Sequence, residues 1–364
     1  MAHKSHKIAL RVNPKQDAWF HSQCGYARFA CNNALAHFKA GLASGKFYSG
    51  IDLNNHFNTA KKAYDWTKAQ DQRAALYAIR NLTEGIKRWK DKISGFPKFK
   101  KRGHRLSYTT DEQAVKVEGK RIKLPKIGWV RMFQELRFEG KIIRVTISKT
   151  AHRWFVSITV DTGTPNVSRD TRGLPVIGID VGINSLATLD TGKHYDNPRP
   201  LKRYEKKLAR EQRKLSRKEF LSNNWYKQKD KVAKLHYKIA CIRNDAHHQA
   251  TTEIVNIASA IGIETLKVTN MLKNRKLAKA LSDSALGSFL EKRKSKAEVL
   301  GIPIIEAPQF FASSKTCSSC GYVKDELSLS EHVFHCEFCY TSIDRDQNAA
   351  INLKTLAVGN HTES

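Results

Sequence analysis

Four cysteines and three acidic residues are the side chains whose type and spacing could do chemistry in this sequence. The cysteines form two C-x-x-C pairs, Cys317 with Cys320 and Cys336 with Cys339, and 15 residues separate the two pairs. This spacing is typical of a Cys₄ zinc ribbon. Because the protein supplies all four ligands, we expect a structural Zn²⁺ ion rather than a catalytic one.

Other groups that could bind metal or form disulfides are less well placed. His332 and His335 could compete as zinc ligands, but they break the paired spacing, and we expect both on the surface. Cys24, Cys31 and Cys241 fall within helical patterns and are predicted to be core or boundary residues. The odd total of seven cysteines argues against a disulfide framework.

The three acidic residues stand where a charge is costly. Asp180 interrupts the apolar run VIGIDVG, Glu264 interrupts IGIETLKV, and Asp346 lies just before the predicted helix NAAINLKTLA. A carboxylate in an apolar strand must be paired, hydrated or bound to a cation. Coordination of Mg²⁺ explains all three, and two ions about 4 Å apart would suit phosphodiester hydrolysis. Asp190 and Glu306 also lie at predicted strand ends, and the pattern does not exclude them.

The first half of the chain predicts a β-domain with a helical insertion. A short strand at 7–12 precedes helical periodicity over 17–42 and 71–91, and strand-like runs follow from 108 to 161. These strands are typical of a small β-barrel or sandwich. Since one strand precedes the helices and the rest follow them, we expect the helical block, 14–94, to be inserted into the β-domain.

The second half predicts a domain in which strands and helices alternate. A Gly/Pro-containing linker at 161–175 leads into it. Glu264 follows Asp180 by 84 residues and precedes Asp346 by 82, and the order D, E, D on these elements fits an RNase H-like fold. The predicted elements are a buried strand at 176–182, its hairpin partner at 185–192, two basic helices at 200–219 and 225–260, a strand at 261–268, a helix at 284–300, a strand at 302–307 and the final helix.

The charge of the chain indicates a polyanionic partner. Lys and Arg exceed Asp and Glu by 30 among 364 residues, and the pI is about 9.9. The helix at 202–217 is the best candidate to contact phosphates. Because 40% of residues are hydrophobic, wholesale disorder is excluded. No apolar run reaches the roughly 18 residues of a membrane span, and the chain starts without a secretory signal, so we expect a cytoplasmic protein.

Three segments together resemble a known family. Over residues 171–357 the chain is similar, in the order and residues of its motifs, to the RuvC-type nuclease half of TnpB. The motifs are IGIDVGINSLATL, IGIETLKVTNM, and SSKTCSSCG with CEFCYTSIDRDQNAAINL. TnpB proteins are transposon-encoded RNA-guided DNA endonucleases related to type V CRISPR effectors. The resemblance assigns the catalytic, Mg²⁺-binding acids to Asp180, Glu264 and Asp346, with Asp344 as the alternative for the third position.

The resemblance also implies an α/β and α+β multidomain architecture and a set of partners. A monomeric ribonucleoprotein would hold a guide RNA from the transposon end and read a short motif beside a double-stranded DNA target in a bacterial or archaeal nucleoid. Residues near 71–77 and the strands after 106 would contact that motif. The implied parts are a wedge-like β-barrel (1–12 and 97–170), a helical recognition lobe (13–96), a RuvC or RNase H-like nuclease domain (171–312 and 344–364) and a zinc ribbon that binds target nucleic acid (313–343).

Three other functions stay open. A nuclease-inactive RNA-guided repressor is expected to have lost at least one acid, and all three are present. A DDE-type transposase shares the broad fold, but the cysteine ribbon before D-x-N-A-A argues against it. A basic RNA-binding protein without catalysis leaves the three acids unexplained.

Overall fold

The chain forms two compact units with mixed α/β structure, Met1–Pro165 and Asn166–Ser364. Residues 164–168 of the predicted linker lie outside the described residues. The computed structural model describes residues 3–102, 105–111, 113, 115–163, 169–275, 277–309, 311–328 and 331–362.

A seven-stranded antiparallel sheet is the base of the first unit. Its strands are β1 (His3–Arg11), β2 (Leu106–Asp111), β3 (Lys116–Glu118), β4 (Arg121–Leu124), β5 (Gly128–Met132), β6 (Lys141–Thr150) and β7 (Arg153–Asp161). The strand order is β2-β6-β7-β1-β5-β4-β3, so the first strand of the chain lies in the middle of the sheet. The helices that follow β1 in the chain are therefore inserted between two strands of a single sheet.

In the described part of the first unit, three α-helices lie between β1 and β2 in the chain. They are α1 (Pro14–Ala43), α2 (Gly50–Ala60) and α3 (Gln72–Lys90). Asn13 starts α1 with a capping box that it forms with Gln16, and the Asp71 side chain caps α3. Ile79, Leu82 and Ile86 of α3 are buried in a core shared with the sheet, which accounts for the predicted helical periodicity.

The second unit contains a five-stranded mixed sheet and a separate two-stranded one. The strands are β8 (Val176–Asp180), β9 (Ser185–Leu189), β10 (His194–Asp196), β11 (Ala260–Ile263), β12 (Ile304–Glu306), β13 (Val333–His335) and β14 (Ser342–Asp344). The five-stranded sheet has the order β10-β9-β8-β11-β12. Its first three strands are antiparallel, whereas β8, β11 and β12 run parallel.

The described residues of the second unit form the helices α4 (Pro200–Ser216), α5 (Asn223–Asn256), α6 (Val268–Met271), α7 (Ala278–Ser284), α8 (Leu286–Leu300) and α9 (Arg345–Thr362). The two long helices α4 and α5 pack on each other through an apolar stripe that includes Leu208, Leu235 and Ile239. Asp283 accepts hydrogen bonds from the backbone N–H groups of Leu201 and Lys202 and so caps α4. Across the described ranges of both units, every helix is too short or too polar to cross a membrane.

Two glycines allow α9 to lie directly on the five-stranded sheet. Gly178 of β8 and Gly262 of β11 are partners in the parallel ladder. A Cβ atom on Gly178 would lie 1.8 Å from the carbonyl oxygen of Ala350, and one on Gly262 would lie 2.2 Å from that of Leu353. Only glycine leaves room for a helix backbone at this distance. We call this pair of residues the glycine notch.

Helix α9 begins earlier than the sequence pattern predicted. The Asp344 side chain accepts hydrogen bonds from the backbone N–H groups of Asp346, at 3.0 Å, and Gln347, at 2.9 Å. These bonds satisfy free N–H groups of the first turn, as an N-cap does. The prediction that Asp346 lies before the helix was therefore wrong, because Asp346 is in its first turn.

Filling the glycine notch should destabilise the second unit. Gly262→Ala would force α9 away from β11, and we expect a loss of at least about 1–3 kcal/mol in the free energy of unfolding, as for an overpacked core. Gly287→Ala is the matched control, because a Cβ atom there meets nothing within 4 Å and the residue is in a helix. Chemical denaturation of both variants tests this, and equal stabilities would contradict the notch.

Candidate metal centres

Asp180 and Glu264 stand at the carboxyl ends of two neighbouring parallel strands. Ile179 of β8 pairs with Ile263 of β11, and one acid follows each of these partners. Side chains alternate between the faces of a sheet, so each acid is on the same face as the glycine two residues before it. Asp180 and Glu264 are therefore on the face that α9 covers.

Asp346 reaches the same place from α9. It is four residues before Ala350 and seven before Leu353, the two residues whose carbonyl groups contact the glycine notch. Residues at this spacing share one face of a helix. The notch thus aligns the first turn of α9 with the two strand ends, and the structure brings the three predicted acids together.

The charges of Glu264 and Asp346 act on Asp180. Burial raises the pKa of Asp180, and the negative charges of Glu264 and Asp346 raise it further, to about 8, against a smaller opposing effect of Arg345. Like charges gathered without a partner disfavour ionisation, whereas a bound divalent cation favours it. Carboxylate oxygens are the ligands that Mg²⁺ prefers, so the chemistry of the three side chains suits such an ion.

The other two acids at strand ends have different surroundings. Asp190 is buried, and its carboxylate accepts hydrogen bonds from the backbone N–H of Gly178, at 3.1 Å, and from Lys354 Nζ, at 2.7 Å. This ion pair connects the end of β9 to α9. Glu306 pairs with Ile263 in the ladder and so lies on the face opposite to Glu264. Neither joins the three acids.

Sequence reasoning missed a serine beside Glu264. The hydroxyl of Ser313, which is 1% exposed, donates a hydrogen bond to Glu264 Oε1. Ser313 is part of the SSKTC run that leads into the first cysteine pair, but nothing in that run marks it as a partner of an acid. The glycine notch was also missed, although G-I-D and G-I-E repeat the same spacing between glycine and acid.

The four predicted zinc ligands form a compact cluster. The Sγ atoms of Cys317, Cys320, Cys336 and Cys339 all lie within 4.8 Å of one another, and all four cysteines are free. The Cys317–Cys339 and Cys320–Cys336 Sγ pairs are each 3.6 Å apart. Zn–S bonds of about 2.3 Å in a tetrahedron place sulfur atoms about 3.8 Å apart. The quartet therefore fits one Zn²⁺ ion with no position left for water.

The remaining cysteines and histidines are placed mostly as expected. Cys24 and Cys31 are buried in the first unit, and His332 and His335 are exposed outside the cysteine cluster. Cys241 is exposed on α5, so its assignment to the core or its boundary was wrong. It lies on α5 outside the buried stripe that packs against α4.

Comparisons with known proteins place the chain among nucleic-acid enzymes. A family model described as OrfB_IS605, probable transposase, matches residues 156–275, and one described as Cas12f1-like, TNB domain, matches 287–353. InsQ of Escherichia coli (strain K12), named as an RNA-guided DNA endonuclease, is 32% identical over 97% of this chain and 91% of its own length. A Streptomyces pristinaespiralis protein named in the same way is 35% identical over 78% of this chain and 70% of its own.

Similarity to solved structures is weaker. The mini-RNA-guided endonuclease CRISPR-Cas_phi3 is 11% identical, with a TM-score of 0.49 over 98% of this chain and 92% of that chain.

The fold and the sites define a two-unit, mixed α/β protein with an acidic cluster at parallel strand ends and a four-cysteine zinc-site motif. The chain belongs to the TnpB family, since its similarity to InsQ extends over nearly the whole of both chains. The resemblance of its motifs to this family is thereby confirmed.

The cysteine cluster should hold one zinc ion per chain. We expect elemental analysis of the purified protein to give one equivalent of zinc, and Cys320→Ser to lose it, because three thiolates no longer close the site. Cys241→Ser is the control, since this exposed cysteine lies on α5. Retention of zinc by Cys320→Ser, or its loss from the control, would contradict the site.

The acidic cluster should make the metal-free protein less stable as pH rises. The folded state keeps a proton on Asp180 up to about pH 8, whereas in the unfolded chain this carboxyl ionises near pH 4. The contribution of Asp180 to the free energy of unfolding therefore falls between these pH values. In buffer cleared of Mg²⁺, Asp180→Asn should lose this part of the pH dependence of Tm, and the exposed control Asp230→Asn should keep it. Identical pH profiles would contradict the raised pKa of Asp180.

Proposed function

We propose that this protein is a transposon-encoded RNA-guided DNA endonuclease that cleaves DNA complementary to its guide by metal-dependent hydrolysis of a phosphodiester bond. Two relatives that cover most of the chain are named as RNA-guided DNA endonucleases. The observation that carries the proposal is the convergence of Asp180, Glu264 and Asp346 on one face of the sheet. A repressor without nuclease activity would have no use for this costly arrangement.

The three acids would hold Mg²⁺, two ions in our proposal. When bound, Mg²⁺ activates water and stabilises the charge of the leaving oxygen in phosphodiester hydrolysis. The protein's own part is to hold three carboxylates ready on rigid elements, two at strand ends and one in a helix capped by Asp344. Since Asp344 caps α9, we assign the third metal-binding position to Asp346.

We assign the domains as the family resemblance implies. The nuclease domain, RuvC or RNase H-like, would comprise 171–312 and 344–364 around the mixed sheet. The zinc ribbon at 313–343 would hold a structural Zn²⁺ ion in its cysteine cluster and bind target nucleic acid. In the first unit, 1–12 and 97–170 would form the wedge-like barrel and 13–96 the helical recognition lobe, which is supported by the helices that separate β1 from β2.

The α4–α5 hairpin supports binding to nucleic acid. The inner stripe of α4 packs against α5, so that its basic residues face solvent. Each phosphate that they neutralise would release counterions, while base pairing to the guide supplies the sequence specificity. At the tip of the hairpin, Phe220 and Tyr226 are 71% and 49% exposed on either side of Trp225, where unpaired bases could stack. The exposed basic residues of α4 are Lys202, Arg203, Lys206, Lys207, Arg210, Arg213 and Lys214.

The partners would be a guide RNA from the transposon end and a double-stranded DNA target, held by one copy of the chain. The net charge of +30 suits a protein that carries both polyanions. Because the two relatives come from bacteria, we place this activity in the bacterial cytoplasm, at the nucleoid.

Loss of Asp180 should abolish cleavage but not binding. The protein would be purified with RNA from cells that carry its native locus, and the RNA would be sequenced. Its complex would then be incubated with Mg²⁺ and a plasmid library in which the target adjoins randomised bases. We expect Asp180→Asn to cut at least about 10³-fold more slowly than the unaltered protein, since bound metal contributes several kcal/mol to catalysis. Asp230→Asn, an exposed acid on α5, is the matched control.

The outcomes separate the alternatives. Cleavage that requires the RNA, selects one flanking motif and is lost only in Asp180→Asn supports the proposal. Specific RNA and DNA binding without cleavage would favour a guided repressor. Strand transfer without RNA would favour a transposase, and cleavage by Asp180→Asn at the normal rate would refute the assignment of the acids.

A further inference from the structure

The Ser313 hydroxyl contacts one of the three acids from the segment that leads into the cysteine cluster. Ser313 is 1% exposed and donates to Glu264 Oε1, and it is four residues before the first cysteine of the zinc-site motif. We propose that Ser313 is a positioning residue for Glu264, and that the cysteine ribbon and α9 hold it in place. This inference rests on the proposed metal-dependent nuclease and names the device that orients one of its carboxylates.

Two asparagines anchor the segment that carries Ser313. Asn352 Nδ2 donates to the carbonyl oxygens of Ser313, at 2.8 Å, and Thr316, at 2.7 Å. One turn earlier, Asn348 Nδ2 donates to the Thr316 carbonyl, at 2.7 Å, and its Oδ1 accepts from the backbone N–H of Ser318, at 2.9 Å. Both side chains are buried, where an unsatisfied polar group is costly. The segment is therefore fixed on the helix that also carries Asp346.

The anchored segment continues into the cysteine cluster. Cys317 lies between Thr316 and Ser318, the residues that the two asparagines bind, and its backbone N–H donates to the Tyr322 carbonyl at 2.8 Å. Metal binding by the cysteines would fix one end of the segment, and α9 fixes the rest. The backbone on both sides of the Ser313 side chain is thus held in place, and this buried side chain directs its hydroxyl to Glu264.

A fixed hydrogen-bond donor matters because Glu264 follows a strand end. Its carboxylate is joined to the backbone by a flexible side chain. A carboxylate that binds metal must face the ion, and a hydrogen bond to one of its oxygens limits how it can rotate. Loss of such a partner typically weakens metal binding or activity by about 10–100-fold. The role differs from that of the glycine notch, which places the backbone rather than the side chain.

The test is metal affinity rather than activity alone. Mn²⁺ binding to the complex with RNA and target DNA would be measured by electron paramagnetic resonance, for the unaltered protein, Ser313→Ala and Ser314→Ala. Zinc content, Tm and target affinity of each complex would be measured in parallel. We expect Ser313→Ala to bind Mn²⁺ at the acidic site about 10–100-fold more weakly. It should also need more Mg²⁺ for half-maximal cleavage, while zinc content and target affinity stay unchanged.

Two variants give the comparison its specificity. Ser314→Ala removes the neighbouring hydroxyl of the same segment and should behave like the unaltered protein. Ser313→Thr keeps a hydroxyl at the cost of one buried methyl group, and its Mn²⁺ affinity should return towards the normal value. Excess Mg²⁺ should restore most of the cleavage rate of Ser313→Ala, since the metal ligands themselves remain.

Several results would overturn the inference. Normal Mn²⁺ affinity in Ser313→Ala would show that the hydroxyl does not orient Glu264, and loss of zinc or of target binding in this variant would make its role structural. An equal defect in Ser314→Ala would have the same meaning. Failure of the proposed function is distinguishable, because the unaltered protein would then cleave no guided target, whereas the Mn²⁺ affinities of the variants could still differ.

Discussion

The direct contact between α9 and the paired glycines of β8 and β11 is the constraint on which the acidic cluster depends. A helix normally packs on a sheet through side chains at about 10 Å, whereas here carbonyl groups of Ala350 and Leu353 occupy the space of missing Cβ atoms. This approach fixes both the distance and the rotation of α9. Because Asp346 shares the contacting face, one packing interaction sets the place of all three carboxylates.

The same helix joins the acidic cluster to the cysteine ribbon. One face of α9 touches the glycine notch, while Asn348 and Asn352 bind the backbone that enters the ribbon. Lys354 pairs with the buried Asp190 and adds the hairpin strand β9 to the same support. Residues from segments more than 150 positions apart in the chain thus meet on one rigid element, and the ribbon is attached close to the site rather than at a distance from it.

The sequence singled out the candidate acids and cysteines, but not the contacts that position them. Asp180 and Glu264 stood out because a charge in an apolar strand needs an explanation, and the cysteine pairs stood out by spacing alone. The glycine notch and the Ser313 hydrogen bond depend on which segments meet in three dimensions, and residue type alone does not determine this. The start of α9 was predicted wrongly because Asp344 caps the helix. In sequence, an aspartate at this position can be interpreted either as a helix cap or as a candidate ligand.

The acidic cluster illustrates why the site needs so much support. Burial raises the pKa of Asp180, and the like charges of Glu264 and Asp346 raise it further. The carboxylates would move apart if the elements that carry them could shift. A helix backbone seated in a glycine notch cannot shift without losing its packing. The rigidity that excludes a single methyl group at Gly262 is therefore the same rigidity that keeps the carboxylates together.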